Sequence, residues 1–378
     1  MSANKNQHYV PKAHMRPFCP RNGEAINLYN ISGDRLVGGA SIKGQCSRNF
    51  FYGKDGELER LLQSWEGNYA TAVSKAMADP ALVDEKELSD IRDFAVLQTL
   101  RTFGCIEKNM KMFDQLEGDI KLAGKGKKLP AGMEPITLEA AMRMAIAAFP
   151  KAAKSVSDLD ACIVVNETAH EFITSDDPAI HSNRFHFQRL QRDGFGLGSA
   201  GAMLFLPLAP KLYFMAFDKG VYRVPERRGN LVTVRSADEV ASFNELQHLH
   251  ARENLYYSGA ATGEGLPAEF KKFAGRRPAE WHVLRYLEKI GESTHGEHFI
   301  SAESLALEPG REFISMFHQV HVRPNRWPDL LKYRLRPKFV ETGTGAGCIR
   351  PTSPAFPEWK IRQTILARKR LFGKPVHL

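Results

Sequence analysis

The chain has 378 residues, 43% of them hydrophobic and 25% charged, with a formal net charge of +9. These are the proportions of an ordinary globular protein, long enough for one large domain or two smaller ones. No apolar run reaches the roughly 18 residues of a membrane-spanning helix, and the polar start (Ser2, Asn4, Lys5, Asn6, Gln7) lacks the apolar core of a signal peptide, so the chain reads as cytoplasmic.

In chain order, the first segment is dense in unusual residue types: His8-Tyr9-Val10-Pro11-Lys12-Ala13-His14-Met15-Arg16-Pro17-Phe18. Pro11 holds the chain before it extended, so His8 sits on a stiff arm. Residues 25–31 alternate polar and apolar and read as a strand; Ser32-Gly33-Asp34 supplies a turn, and Leu36-Val37 begins a return strand. An aromatic connector (Phe50, Phe51, Tyr52) leads into helices. Leu58, Leu61, Leu62, Trp65, Tyr69, Val73 and Ala76 recur at helical spacing, which predicts an amphipathic helix over 56–78. A second helix is predicted from Glu85 through Leu100 with a continuation to Leu116, and a third over 137–149. Residues 124–130 read as a polar linker, because their Gly-x-Gly-Lys-Lys lacks the spacing and preceding strand of a phosphate-binding loop.

Beyond residue 155 the pattern changes to strands, predicted at 161–165, 172–174, 202–208, 212–218, 221–224 and 231–234. A helix over 237–254 follows, with Ser236 as its N-cap. The glycines of 194–201 precede a strand instead of following one, so they read as a flexible loop and a candidate lid. Helices followed by antiparallel-type strands indicate an α+β fold: an N-terminal arm and hairpin, a helical layer on a mainly antiparallel sheet, and a basic C-terminal extension, divided as 1–260 and 261–378. The last basic stretch, 359–372, reads as a helix.

Cys19, Cys46, Cys105, Cys162 and Cys348 stand singly without a Cys-x-x-Cys pair, which reads as free thiols and offers no zinc framework. Positive charge crowds Arg323, Arg326, Lys332, Arg334, Arg336 and Lys338, and again Lys360 to Lys374. Such an end is either a footprint for nucleic acid or an acidic protein partner, or a solvated face. His318, Gln319, His321 and Arg323 read as a strand with both histidines on one face, a second candidate nucleic-acid surface.

The ordered set His8-Tyr9-Val10-Pro11 with Arg16 and Phe18, Glu66, Gln98-Thr99-Leu100-Arg101-Thr102, Thr174-Ser175-Asp176-Asp177-Pro178 and Leu206-Pro207-Leu208-Ala209-Pro210 resembles the HYVP-signature bacterial family catalogued as domain of unknown function 4238. The resemblance covers about residues 8–260. It implies a bacterial or phage-related setting, with some members in anti-phage defence, and no established reaction. Two departures stand out: His14-Met15 replaces a tyrosine-leucine-like pair, and Ala209 replaces a usual serine.

The candidate site residues are therefore His8, Glu66, Gln98, Arg101 and Asp176. Gln98 and Arg101 lie one helical turn apart on a face of core-type residues. A half-buried Glu66 and Arg101 either pair structurally across two helices or line a polar pocket in which the guanidinium holds phosphate. His8 is either a pin for the N-terminus or an acid/base. Asp176 caps a turn or meets a metal at a strand end. His8, Glu66 and Asp176 together would suit a divalent metal in a phosphodiester- or nucleotide-acting hydrolase. The alternative is a non-enzymatic recruitment protein with an internal polar brace.

Overall fold

A computed structural model describes residues 5–354 apart from 21–22, 124–136, 193, 294–295, 304–309 and 343–346, together with three tail pieces, 364–366, 370–371 and 374–375. The linker expected at 124–130 lies outside the described residues.

The N-terminal arm is a strand, β1 (Asn6–His8). It is followed by the hairpin β2 (Ala25–Asn30) and β3 (Arg35–Ser41) and by β4 (Ser47–Asn49), which pairs antiparallel with β1. Gln7 fastens this strap: its amide donates to the Gly53 carbonyl (3.1 Å) and its Oε1 accepts from the Tyr52 N–H (2.6 Å). At Pro11 (φ −67°, ψ 150°) the chain is extended, and the same φ opens the short helix α1 (Lys12–Met15). Val10, Met15 and Phe18 from this arm pack on Ile26, Leu28 and Tyr256.

Five further helices form the next layer. α2 (Glu57–Ala78) buries Leu58, Leu62, Tyr69, Val73 and Ala76 along one stripe. α3 (Glu85–Arg101) starts with a capping box in which Asp84 and Glu87 satisfy each other's amides. The helix expected to continue to Leu116 is interrupted at Thr102, which adopts an extended conformation (ψ 149°) while its Oγ1 accepts from the Cys105 N–H, starting α4 (Phe103–Ala123) afresh. A second helix cap, at Thr137, sets the start of α5 (Leu138–Ala147), and α6 (Phe149–Val156) follows.

The central sheet contains β5 (Asp160–Asn166), β7 (Ile180–Ser182), β8 (Met203–Ala209), β9 (Leu212–Phe217) and β11 (Leu231–Val234), in the order β11-β5-β9-β8-β7. Only the β11–β5 pair is parallel. Both faces are covered, which explains the nearly continuous apolar runs in β8 and β9. Alternate residues Ile163, Leu204, Leu206 and Phe214 meet α2, α3 and α5, and Val164, Phe205, Tyr213 and Met215 meet Phe243 and Leu246 of α7 (Ala237–His250).

A second sheet runs β3-β2-β12-β6, with β6 (Thr174–Ser175) and β12 (Asn254–Tyr257). The helix expected to reach Asn254 therefore ends early. Ala251 leaves helical geometry (ψ 141°), and residues 254–257 pair with β2 on one side and β6 on the other. Ser236 occupies the N-cap position of α7, but its side chain makes no capping bond.

The C-terminal part adds α8 (Ala260–Ala274) and a sheet of β13 (His282–Ser293), β14 (Gly296–Ala302) and β15 (Phe313–Gln319), with β13 in contact with α4. The 323–338 segment then docks on the main body. Glu245 of α7 accepts from the Asn325 and Arg326 amides, Glu239 accepts from Leu330, and Trp327 and Leu331 enter the core. Its strand β16 (Lys332–Tyr333) pairs with β10 (Tyr222–Arg223).

Three expectations are corrected here. His318 lies on β15 and His321 beyond its end, stacked 3.7 Å from the Phe195 ring, so the two do not share a strand face. Residues three apart project from opposite sides of a strand in any case. The 194–201 loop is pinned, with the Leu197 and Ser199 carbonyls accepting from buried Arg350 at 2.6 and 2.9 Å; this contact fixes it instead of leaving it a free lid. Within the stretch read as a last helix, residues 364–366 and 370–371 are strands, and the remainder lies outside the described residues.

Candidate functional site

The five candidate residues divide into two groups. Arg101, fully buried at the end of α3, donates from Nη1 to Glu66 of α2 (2.6 Å) and from Nε to the Gln98 Oε1 (2.9 Å). Gln98 in turn donates to the Tyr9 carbonyl (2.8 Å). The Tyr52 hydroxyl, which borders Arg101, donates to the His8 carbonyl (3.0 Å). Burial opposes a charged guanidinium, but Tyr52 and Glu66 outweigh it and Arg101 stays cationic. The result is a chain of bonds tying α2, α3 and the N-terminal arm together, in which the buried Arg101 Nη2 alone of the guanidinium nitrogens has no hydrogen-bond partner among the described residues.

His8 contributes its backbone to that chain. Its ring turns elsewhere, with Nε2 3.3 Å from the Ile42 carbonyl, and burial lowers its pKa so that the neutral imidazole dominates at neutral pH. His14, which was not singled out as a site residue, is fully buried. Its two nitrogens meet the Tyr69 hydroxyl (2.7 Å) and the Thr174 Oγ1 (2.8 Å), and burial lowers its pKa to about 3. Tyr69 stacks on Phe94 at 3.6 Å, and the Arg101 guanidinium lies 5.3 Å from the same Phe94 ring.

Asp176 stands apart from the brace. Its carboxylate accepts from three successive backbone amides, Arg252 (2.7 Å), Glu253 (2.8 Å) and Asn254 (3.3 Å), and so shapes the turn that enters β12. Burial raises its pKa to about 6, against the opposing effect of those amides. Asp177, half-buried beside it, is also raised, chiefly by desolvation, with Lys108 and the Thr102 hydroxyl acting the other way. Among the described residues no group of three or more His, Cys, Asp or Glu side chains is arranged to hold a metal ion. His8, Glu66 and Asp176 are therefore not brought together as a metal set.

Asp176 instead lines a cleft of about 800 Å³ between the N-terminal arm, α4, the turn before β12 and the start of β13. Four chain segments bring five cations to its walls: Arg48; Lys108 and Lys111; Arg252; and Arg277. Arg252 pairs with Glu107 (2.6 Å), and Lys111 lies 3.7 Å from the same carboxylate. Arg48, Lys108 and Arg277 are in no ion pair among the described residues. Two of them rest on rings of the cleft: Arg48 lies 3.4 Å from the Phe103 centroid, and the Lys108 ammonium 4.0 Å from Trp281. Burial lowers the pKa of Lys108 and Arg277 and brings the neighbouring His282 down to about 4. Tyr9 joins the two groups, because its carbonyl accepts from Gln98 while its ring faces the cleft. Gly104 leaves room here, since a Cβ would sit 3.1 Å from the Arg252 side chain that pairs with Glu107, and that side chain would have to give.

A family model described as a protein of unknown function (DUF4238) matches residues 6–261. The chain belongs to this family. No curated protein and no solved structure matches it. The matched span contains the whole brace and most of the cleft, whereas Arg277, Trp281 and His282 lie beyond it. Sequence reading missed the cleft cations because single Arg and Lys residues on four distant segments carry no periodic signal. The one local clue is Thr102-Phe103-Gly104, a helix restart whose glycine makes room for an arginine.

Proposed function

We propose that the cleft beside Tyr9 binds a nucleotide, and that the protein is an effector acting on nucleotides or nucleic acid in the setting of anti-phage defence. Three cations carry the reading: Arg48, Lys108 and Arg277 face one cavity and are in no ion pair among the described residues, although the carboxylates of Glu107, Asp176, Glu253 and Glu280 also line it. Guanidinium groups so placed suit phosphate oxygens, which they grip with two parallel hydrogen bonds. A volume of about 800 Å³ is that of a small-ligand site. The defence setting rests on the family resemblance alone. Should the cleft carry a reaction, Asp176, with its pKa near 6, is the better placed acid/base, and His8 is not among the residues that line the cavity.

Calorimetric titration with ATP and with inorganic phosphate tests this. The wild type is expected to bind ATP, and Arg48→Ala with Arg277→Ala to weaken it about tenfold or more, the loss of one to two charge-assisted contacts. A wild type that binds neither ligand, or a double variant that binds as well as the wild type, refutes the reading. A second reading, a non-enzymatic recruitment protein, is favoured by a different observation: Glu66, Gln98 and Arg101 bond one another and are absent from the cleft lining. Under that reading the same residues only hold the fold and the basic C-terminal region meets the partner.

A further inference from the structure

A second cavity, of about 880 Å³, lies where the 334–338 loop runs past the turn between β9 and β10. Its walls carry Lys219, Arg223, Arg334, Arg336 and Lys338, all exposed, and none of them is in an ion pair among the described residues. The single acid in the lining, Asp218, is turned into the backbone. Its two oxygens accept from the Gly201 and Gly220 amides, both at 2.8 Å. Five cations therefore face this groove with no free carboxylate among them.

The groove is held by backbone bonds. The Arg334 amide donates to the Val221 carbonyl (2.8 Å) and the Lys338 amide to the Gly220 carbonyl (2.9 Å), while the Arg334 Nε donates to the Lys219 carbonyl (2.6 Å). Gly220 permits this approach: a Cβ there would lie 3.0 Å from the Lys338 carbonyl oxygen. On the other wall, Thr352 bonds Asp158 (2.7 Å) beside the bidentate Arg350–Asp158 pair. Like charges brought together on a fixed frame repel one another, and the repulsion is relieved by a polyanion. Leu335, fully exposed at the loop tip, adds an apolar surface on which a base can rest.

We propose that this groove is a docking track for the phosphate backbone of single-stranded nucleic acid. A concave cavity of about 880 Å³ accepts a few nucleotides of one strand. Recognition is electrostatic and independent of base sequence, as expected when phosphates supply the contacts. The proposal uses residues separate from the nucleotide cleft and does not depend on it.

Fluorescence anisotropy with a labelled 12-residue oligothymidylate tests it. Counterion release predicts a log–log salt slope near −0.7 for each phosphate contacted, so five contacts weaken binding about 100-fold between 50 and 200 mM salt. Arg334→Ala with Arg336→Ala should bind more weakly at 50 mM and reduce that loss to about 20-fold. Arg48→Ala with Arg277→Ala, measured beside it, tells binding at the cleft apart from binding at this groove. The proposal is overturned if the Arg334/Arg336 variant keeps the wild-type slope, or if only the cleft variant alters it. It is also overturned if polyglutamate or phosphatidylserine vesicles bind while the oligonucleotide does not.

Discussion

Replacing Glu66 by alanine strikes the centre of the brace. Arg101 is fully buried and would keep the Gln98 bond and the Phe94 ring face but lose its carboxylate. Removing one partner of a buried pair costs about 3–5 kcal/mol, because the other charge stays desolvated and uncompensated. The remaining bond to Gln98 places Glu66→Ala near the lower end, about 3 kcal/mol. Arg101→Met leaves the opposite partner, and Glu66 is 28% exposed, so water can solvate it. That variant should cost less, about 2 kcal/mol, mostly from lost hydrogen bonds. The double variant should cost at least about 1 kcal/mol less than the sum, since both changes remove the same interaction. Urea unfolding of the wild type and the three variants measures these values. A cost below about 1 kcal/mol for Glu66→Ala, or strict additivity of the pair, would refute the brace.

Three further outcomes are expected. His14 is held neutral, with a folded pKa of about 3 against about 6.5 in the unfolded chain, so the unfolded state takes up a proton as the pH falls through 6.5 and stability drops until about pH 3. Asp176, raised to about 6, acts with the opposite sign between about 3.8 and 6, and the two are separated by comparing variants. His14→Gln should flatten the loss of stability between pH 6 and 4 by about 1.4 kcal/mol per pH unit, and an unchanged slope in pH-dependent urea titrations would sink the assignment. Asp176→Asn replaces an acceptor for three backbone amides with a group whose NH₂ faces donors, so a loss of about 2 kcal/mol is expected, and a loss below about 0.5 would show that the turn does not depend on it. Arg350→Met removes a guanidinium that bonds Asp158 twice and the Ser155, Leu197 and Ser199 carbonyls; hydrogen exchange should then accelerate in both 194–201 and 348–353, and protection unchanged in either segment would refute the pin.

Local pattern is enough to derive much of this protein from its sequence. The α+β class, the amphipathic stripe of α2, the start of α3 at Glu85, the 25–41 hairpin and the two apolar strands β8 and β9 all follow from periodicity and turn chemistry, which act over a few residues. The ordered motifs were likewise legible, and the family they resemble is the one to which residues 6–261 belong. The pairing of Glu66 with Arg101 was one of two readings open from the sequence, because two charges on apolar helix faces have few other partners.

Only the tertiary structure decided where the remaining polar residues go. Whether Asp176 would join Glu66 and Arg101 or stand apart depended on β12 arriving from seventy-eight residues later to offer its amides. The division of the helix at Thr102, the seat of His321 on Phe195 and the pinning of the 194–201 loop by Arg350 are of the same kind. The two cationic cavities are the clearest case, each assembled from segments far apart in the chain. Periodicity reports which face of an element is buried, and charge along the chain reports how much there is. Neither reports which distant segments will bring their charges to one cavity, because that is set by long-range strand pairing and core packing.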